Sequence, residues 1–344
     1  MLDRRSIIGG ALIFAAAPTV GCSQTDEPAS HIPNIGGDPV AAARALRLVT
    51  DKPPSQVMGG DSRYYVSQSP YYWQTPRGWK AVDGLTNPAA ARFSNQADFR
   101  GVCDFIRQCG ALSDSKNDPR YGQALSIAVD RWFLDESSAM LPSFRYAKII
   151  PGKREQDNPF GLLDARPLIW PATILGVGLI DKDREAALKN WLRRYSAESG
   201  QAKFVTPLVL KGNNHLTWYL AHQIAIAVAL GDAPALNRLS EMAGKAVLNQ
   251  TSSGGAPKME LRRSKAISYT MFNARGWICI LSLLRIAGGV MPNRGAAEQM
   301  IEYAMDVAKA NPRDQNARGV TLGAALLGQS SITRERFLSL DHLV

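Results

Sequence analysis

From residue 96 to Val344, apolar residues recur at the three- and four-residue spacing of amphipathic helices with few interruptions. The pattern predicts helices over 96–109, 119–136, 167–180, 182–198, 214–230, 233–248, 266–287, 294–310, 316–327 and 333–341. Stops stand at Gly110, Gly200, Gly231-Asp232, Gly254-Gly255 and Gly288-Gly289. The alternating period of a strand is scarce, its best instance being Phe204–Leu210. About ten helices without a repeat of fixed period predict an all-α protein of packed helix on helix and argue against a solenoid. Periodicity leaves a toroid and an irregular bundle equally open.

Before residue 96 that rhythm is absent. Arg4-Arg5 precede an apolar run from Ile7 to Ala17 that is too short to span a bilayer as a stable helix. Residues 1–22 are therefore expected to be an export signal of the twin-arginine kind. Thr19-Val20-Gly21-Cys22 resembles a lipoprotein processing site. Cys22 is thus a candidate lipidation site, the only membrane attachment expected, on a periplasmic or outer-surface protein; simple cleavage after Gly21 stays open. Residues 23–61, rich in Pro, Gly, Ser and Asp apart from a short helical pattern near Pro39–Leu48, read as a tether to a single domain over 62–344. The first stretch of that domain, Ser62–Pro88, carries Tyr64, Tyr65, Tyr71, Tyr72, Trp73 and Trp79. Pro70, Pro76, Gly84 and Pro88 predict that it is irregular. Its rings suit either packing over helices or stacking on sugar faces.

Composition narrows the partners. With 344 residues, 45% hydrophobic and 20% charged, the chain is globular rather than disordered. Forty Lys+Arg against thirty Asp+Glu give a net charge of +10, which favours polyanions: nucleic acid, anionic membrane or acidic polysaccharide. The basic residues are scattered, with no run of five, which argues against a nucleic-acid tail or a polybasic membrane patch. His31, His215, His222 and His342 are too dispersed for a metal cluster, and no Cys/His spacing suggests zinc, so no metal or cofactor is expected. Cys103 and Cys109 could form a disulfide only if their helix ended at about Gly110.

Three stretches carry candidate chemistry. In Lys211-Gly-Asn-Asn-His-Leu-Thr-Trp-Tyr-Leu220, Asn213 or Asn214 is a good N-cap, and His215, Trp218, Tyr219 and His222 share one helical face. A capped helix with a structural histidine and a polar groove both fit those residues. Trp132–Arg166 includes about 30 irregular but apolar residues, the mark of a functional loop. Pro257–Trp277 gathers Lys258, Arg262, Arg263 and Lys265 against Glu260 alone, followed by Tyr269 and Asn273.

Taken in order, these segments resemble the alginate lyase family of polysaccharide lyases. Ser69-Pro-Tyr-Tyr-Trp73 with Asp83-Gly-Leu-Thr-Asn87-Pro88 is similar to the family's Tyr-Trp … Asp-Gly-x-x-Asn-Pro pattern. Trp132-Phe-Leu-Asp135, Met140-Leu-Pro142 and Tyr146-Ala147 resemble its Trp-Phe-x-Asp … Met-x-Pro … Tyr-Ala block, continued by Gly161-Leu-Leu-Asp164-Ala-Arg166. Asn213-Asn214-His215 with Trp218, then Glu260-Leu-Arg-Arg263 with Tyr269, complete the series. The resemblance implies an incomplete (α/α) toroid whose long loops line a cleft. It implies β-elimination on a uronate polymer, alginate or polymannuronate first, without a cofactor. Asn214 and Arg263 are then expected to neutralise the C6 carboxylate. Tyr269 serves as acid and base, its phenolate favoured by the nearby arginine, and His215 is a second proton-transfer group. Tyr72, Trp73, Tyr146, Arg166, Trp218 and Arg262 are the expected substrate contacts.

The register from Glu260 selects Arg263 as the working arginine. The seven-residue spacing to Tyr269 seen in mannuronate-cleaving members selects Arg262, which would share its face on a continuous helix. Val82 and Thr217 stand where relatives carry an arginine and an aromatic, which bears on subsite contacts. Two other functions fit less of the pattern. A glycoside hydrolase on the same fold needs two facing carboxylates, for which Asp83, Asp164 and Glu260 are available. A non-catalytic lipoprotein of exopolysaccharide export needs only the positive surface.

Overall fold

Two helices without a polar face hold the centre of the molecule. The computed structural model describes residues 37–51, 61–116, 118–153 and 157–344; the expected signal and Cys22 lie outside the described residues. Twelve α-helices are described: α1 (Pro39–Arg44), α2 (Gln96–Lys116), α3 (Pro119–Val129), α4 (Ile169–Thr173), α5 (Lys182–Ser199), α6 (Ala202–Lys211), α7 (Asn214–Leu230), α8 (Ala233–Gln250), α9 (Ala266–Ile286), α10 (Arg294–Ala310), α11 (Ala317–Leu327) and α12 (Arg334–Leu338). Helices α7 and α9 are buried along nearly their whole length and pack on one another. Around them, α2 pairs with α3, α7 with α8, and α10 with α11, the paired arrangement of an (α/α) toroid. Gly276 permits the close contact of the central pair. A Cβ there would lie 2.8 Å from Thr217 Cγ2 and 3.4 Å from the Trp218 ring. Thr217 is fully buried at this crossing, so its departure from the family pattern alters packing and not a subsite.

The predicted helix 214–230 is found with those bounds, and Asn213 is its cap, accepting from His215 N–H. Elsewhere the structure departs from the sequence reading. Phe204–Leu210 is no strand but lies within α6, burying Phe204 and Leu208 one turn apart and ending on left-handed Gly212. Gly110 does not stop α2, which runs on to Lys116. Its missing side chain instead makes room for Leu338 and Ile174, 3.2 and 3.4 Å from where a Cβ would sit. Cys103 and Cys109 are accordingly buried free thiols on one continuous helix. The predicted helix 167–180 is a 3-10 stretch, Pro159–Leu168, followed by the short α4, because Pro167 and Pro171 interrupt regular hydrogen bonding.

Two further stretches are more ordered than their composition implies. In the tether segment, residues 37–51 fold back: Asp38 caps α1, and Ala42, Ala43, Leu46 and Val49 enter the main core. The aromatic stretch 62–88 is not wholly irregular. β1 (Val66–Gln68) pairs in parallel with β4 (Tyr146–Ile149), while β2 (Tyr72–Thr75) and β3 (Gly78–Ala81) form an antiparallel hairpin. Pro76 falls in the turn of that hairpin, where it removes no ladder bond.

Candidate active site

The N-terminus of α7 meets the segment leading into α9, and the β2–β3 hairpin reaches both. Asn213 Oδ1 accepts from the backbone N–H of His215 and also lies 3.1 Å from its ring Nδ1. An oxygen that already accepts one N–H can only accept the second, so Nδ1 carries the imidazole proton and Nε2 carries a lone pair. Burial, together with the positive charges of Lys148, Arg263 and Lys211, pulls the His215 pKa down to about 3. The ring is thus neutral near pH 7, with the Nε2 lone pair unprotonated. Phe160 stands edge-on to it at 5.1 Å between centroids, and Lys211 Nζ lies 5.9 Å from the Phe160 ring centroid. Lys148 is fixed 3.1 Å from Asp164, a buried carboxylate that also accepts from Tyr65, Ser67 and Gln96.

The two candidate arginines are placed differently. Glu260–Arg262 is a 3-10 turn, Arg263 is extended at φ −88° and ψ 157°, and α9 begins only at Ala266. No continuous helix joins Arg262 to Tyr269, so the shared-face argument for Arg262 does not apply. Arg262 is exposed, whereas the Arg263 guanidinium lies 4.1 Å over the Tyr269 ring. Asp83 holds it there through Nε at 3.2 Å and Nη2 at 2.5 Å, and also accepts from Ser264 N–H and Oγ–H. The Arg263 hydrogen bonds keep the Asp83 carboxyl well below its ordinary range. Gly84, at φ +73°, makes this approach possible; a Cβ would stand 2.3 Å from Ser264 Oγ.

The Tyr269 hydroxyl is 2.8 Å from that of Tyr71, just before β2. Burial, joined by this bond, raises the Tyr269 phenol above its usual range, and the Arg263 charge offsets only part of that. The expectation that arginine would favour phenolate is right for that one contact and reversed in the sum. In the unliganded protein Tyr269 is a neutral phenol. Asn214 is buried, donating its backbone N–H and its Nδ2–H to Glu260 Oε1 at 2.8 and 3.3 Å.

Of the expected substrate contacts, Tyr72, Trp73 and Tyr146 are half-buried on β2 and β4; Trp73 Nε1 donates to Leu85 O, and Tyr146 packs edge-on to Tyr64. Arg166 is nine-tenths buried over the Phe272 ring. Trp218 is a correction: it is wholly buried against Phe272 and beneath Gly276, so its indole meets protein on all sides. His222 is likewise structural, donating from Nδ1 to Trp218 O and accepting at Nε2 from Tyr195. Sequence reasoning missed the contacts of Tyr71 and Lys148, and left Asp83 without a partner. Their only local signals are the aromatic run and the Asp-Gly pair.

A helical toroid that brings together a lone-pair imidazole, an amide, and an arginine stacked on a phenol is the architecture of a polysaccharide lyase. The model of the alginate lyase family matches residues 48–315, and the chain belongs to that family. A search of curated proteins finds no match. Among solved structures, an alginate lyase from Bacteroides ovatus is 20% identical, with 88% of this chain and 91% of that one aligned at a TM-score of 0.70. Alginate lyase A1-III from Sphingomonas species A1 is 14% identical over 83% of this chain and 79% of its own, with a TM-score of 0.46.

Proposed function

We propose that this lyase cleaves a uronate-containing polysaccharide, alginate or polymannuronate first, with Asn214, His215, Arg263 and Tyr269 as its catalytic groups. The observation that carries the reading is Arg263: it stacks on Tyr269, and its charge also reaches His215. Lys148, paired with Asp164, and Lys211 are the other cations whose charge reaches His215. Asn214 and Arg263 neutralise the C6 carboxylate, stabilising charge that builds as C5 loses its proton. The C5–H bond breaks, its electrons form the C4–C5 double bond, the C4–O4 bond breaks, and O4 takes a proton. Tyr269, neutral at rest, supplies that proton. On mannuronate the same tyrosine first gives its own proton to bulk water under the stabilising charge of Arg263, and its phenolate then takes the C5 proton and passes it to O4. On the C5 epimer His215 Nε2 receives it from the opposite side.

The hydrolase alternative lacks an available carboxylate pair: Asp83 is clamped by Arg263, Asp164 is enclosed by four donors, and Glu260 is buried beneath Asn214. We further propose export to the periplasm or outer surface, with an anchor at Cys22. The direct test is to incubate the protein with polymannuronate, polyguluronate, polyglucuronate and hyaluronan and follow the ultraviolet absorbance of unsaturated uronate. A rise on a mannuronate- or guluronate-containing polymer is expected. Binding with no absorbance rise on any of them returns the protein to the class of polyanion-binding lipoproteins.

A further inference from the structure

Glu260 belongs to none of the proton or charge steps above, yet it is a buried carboxylate bonded directly to Asn214. It is 1% exposed, as is the Asn214 that it binds. Its Oε1 accepts both the backbone N–H and the side-chain Nδ2–H of Asn214, 46 residues earlier in the chain. Its Oε2 is buried with no hydrogen-bond partner among the described residues. Burial raises its pKa, while the Asn214 bonds and the Arg263 charge work in the other direction. Half-satisfied buried carboxylates are costly to keep. Part of that cost is offset at the start of α7, where Asn213 accepts only from His215 N–H and Glu260 takes the Asn214 N–H; the bond to the Asn214 side chain is not a helix cap.

We propose that Glu260 is a positioning residue, resting on the lyase reading above: it fixes the orientation of the Asn214 amide and ties it to Arg263. A side-chain amide has two ends of almost equal shape, one donating and one accepting. A carboxylate is acceptor-only, so Nδ2 is held toward Glu260 and the amide cannot flip. One Nδ2 hydrogen is used in this hold, and the other is left for an incoming uronate carboxylate. Arg263 N–H closes the following turn on Glu260 O, so one residue sets the backbone of the arginine and the rotamer of the amide.

The test is a set of variants assayed beside the wild type, each checked for folding by circular dichroism and thermal unfolding. Glu260→Ala is expected to lower kcat about a hundredfold, with KM changed less than about threefold. Glu260→Gln keeps an acceptor oxygen at the same reach and is expected to return to within about fivefold of wild type. In an Asn214→Ala background, Glu260→Ala is expected to cost nothing more. Equal losses in both backgrounds, or a folded Glu260→Gln as slow as Glu260→Ala, overturn the inference. If Glu260→Ala does not fold, Glu260→Gln decides alone, and a loss beyond about a hundredfold refutes. Selective 15N labelling of asparagine reads the same coupling without turnover. The Asn214 side-chain amide should be protected from solvent exchange in wild type and Glu260→Gln and lose protection in Glu260→Ala or, should that not fold, in Glu260→Leu. Equal protection in all of them refutes the inference. A wild type that makes no unsaturated product defeats the lyase reading alone, and the exchange measurement still judges Glu260.

Discussion

Replacing Tyr269 by Phe removes one oxygen and leaves the ring on which Arg263 rests. The stack, at 4.1 Å from guanidinium to centroid, depends on the ring face and survives. What is lost is the 2.8 Å bond to Tyr71 and the proton it shares. Both hydroxyls are only partly buried, so water can replace the missing partner and the stability cost should stay under about 1.5 kcal/mol. Turnover has no such substitute. Positioned acid–base groups contribute about 10²–10⁴-fold, and Tyr269 is asked to protonate O4 on every substrate. A loss of about 10³ in kcat, or about 4 kcal/mol, is expected, with KM within about threefold because Arg263 and Asn214 still hold the carboxylate. The assay is initial-rate ultraviolet detection of unsaturated uronate across a range of polymannuronate concentrations, paired with urea unfolding. A folded Tyr269→Phe protein that keeps more than about a tenth of the wild-type kcat refutes the assignment of the O4 proton to this phenol.

Asp83→Asn should lower kcat/KM about tenfold by freeing Arg263 from its clamp, while the denaturation midpoint hardly moves, because a half-exposed ion pair is worth about 0–1 kcal/mol; unchanged kinetics would show that Arg263 holds its place unaided. Trp218→Phe is expected to leave kcat/KM within about twofold and cost about 1–3 kcal/mol of stability, since the buried indole fills space and its Nε1 has no hydrogen-bond partner among the described residues; a large KM increase would make the ring a substrate contact after all. His222 has a pKa lowered by burial from 6.5 to about 3, so the unfolded chain binds its proton first and stability, full above about pH 6.5, falls as pH drops toward 3. The expected slope is up to about 1.4 kcal/mol per pH unit, less for partly exposed His215, and urea unfolding at pH 7 and pH 5 should show a flatter dependence in His222→Gln. An identical slope in that variant would mean His222 does not titrate in this window.

The sequence by itself determined the helical class, the bounds of α7, a cap at Asn213 or Asn214, and the segments that supply the site, because periodicity and capping are short-range physics. It also carried the family pattern from Ser69 to Tyr269. It misplaced Phe204–Leu210 and Gly110 because a short apolar run has no single period, and because a glycine in a helix can serve a neighbour's side chain as well as a turn. Only the tertiary structure decided which arginine faces Tyr269. That choice turns on a break between Arg263 and Ala266 that no helical-wheel argument contains. It alone joined Tyr71 to Tyr269 across 198 residues, Asp83 to Arg263 across 180, and Glu260 to Asn214 across 46. These bonds set which groups hold protons and which way the Asn214 amide points. They arise from chain closure over long loops, and residues that meet only through the fold leave no local period to read.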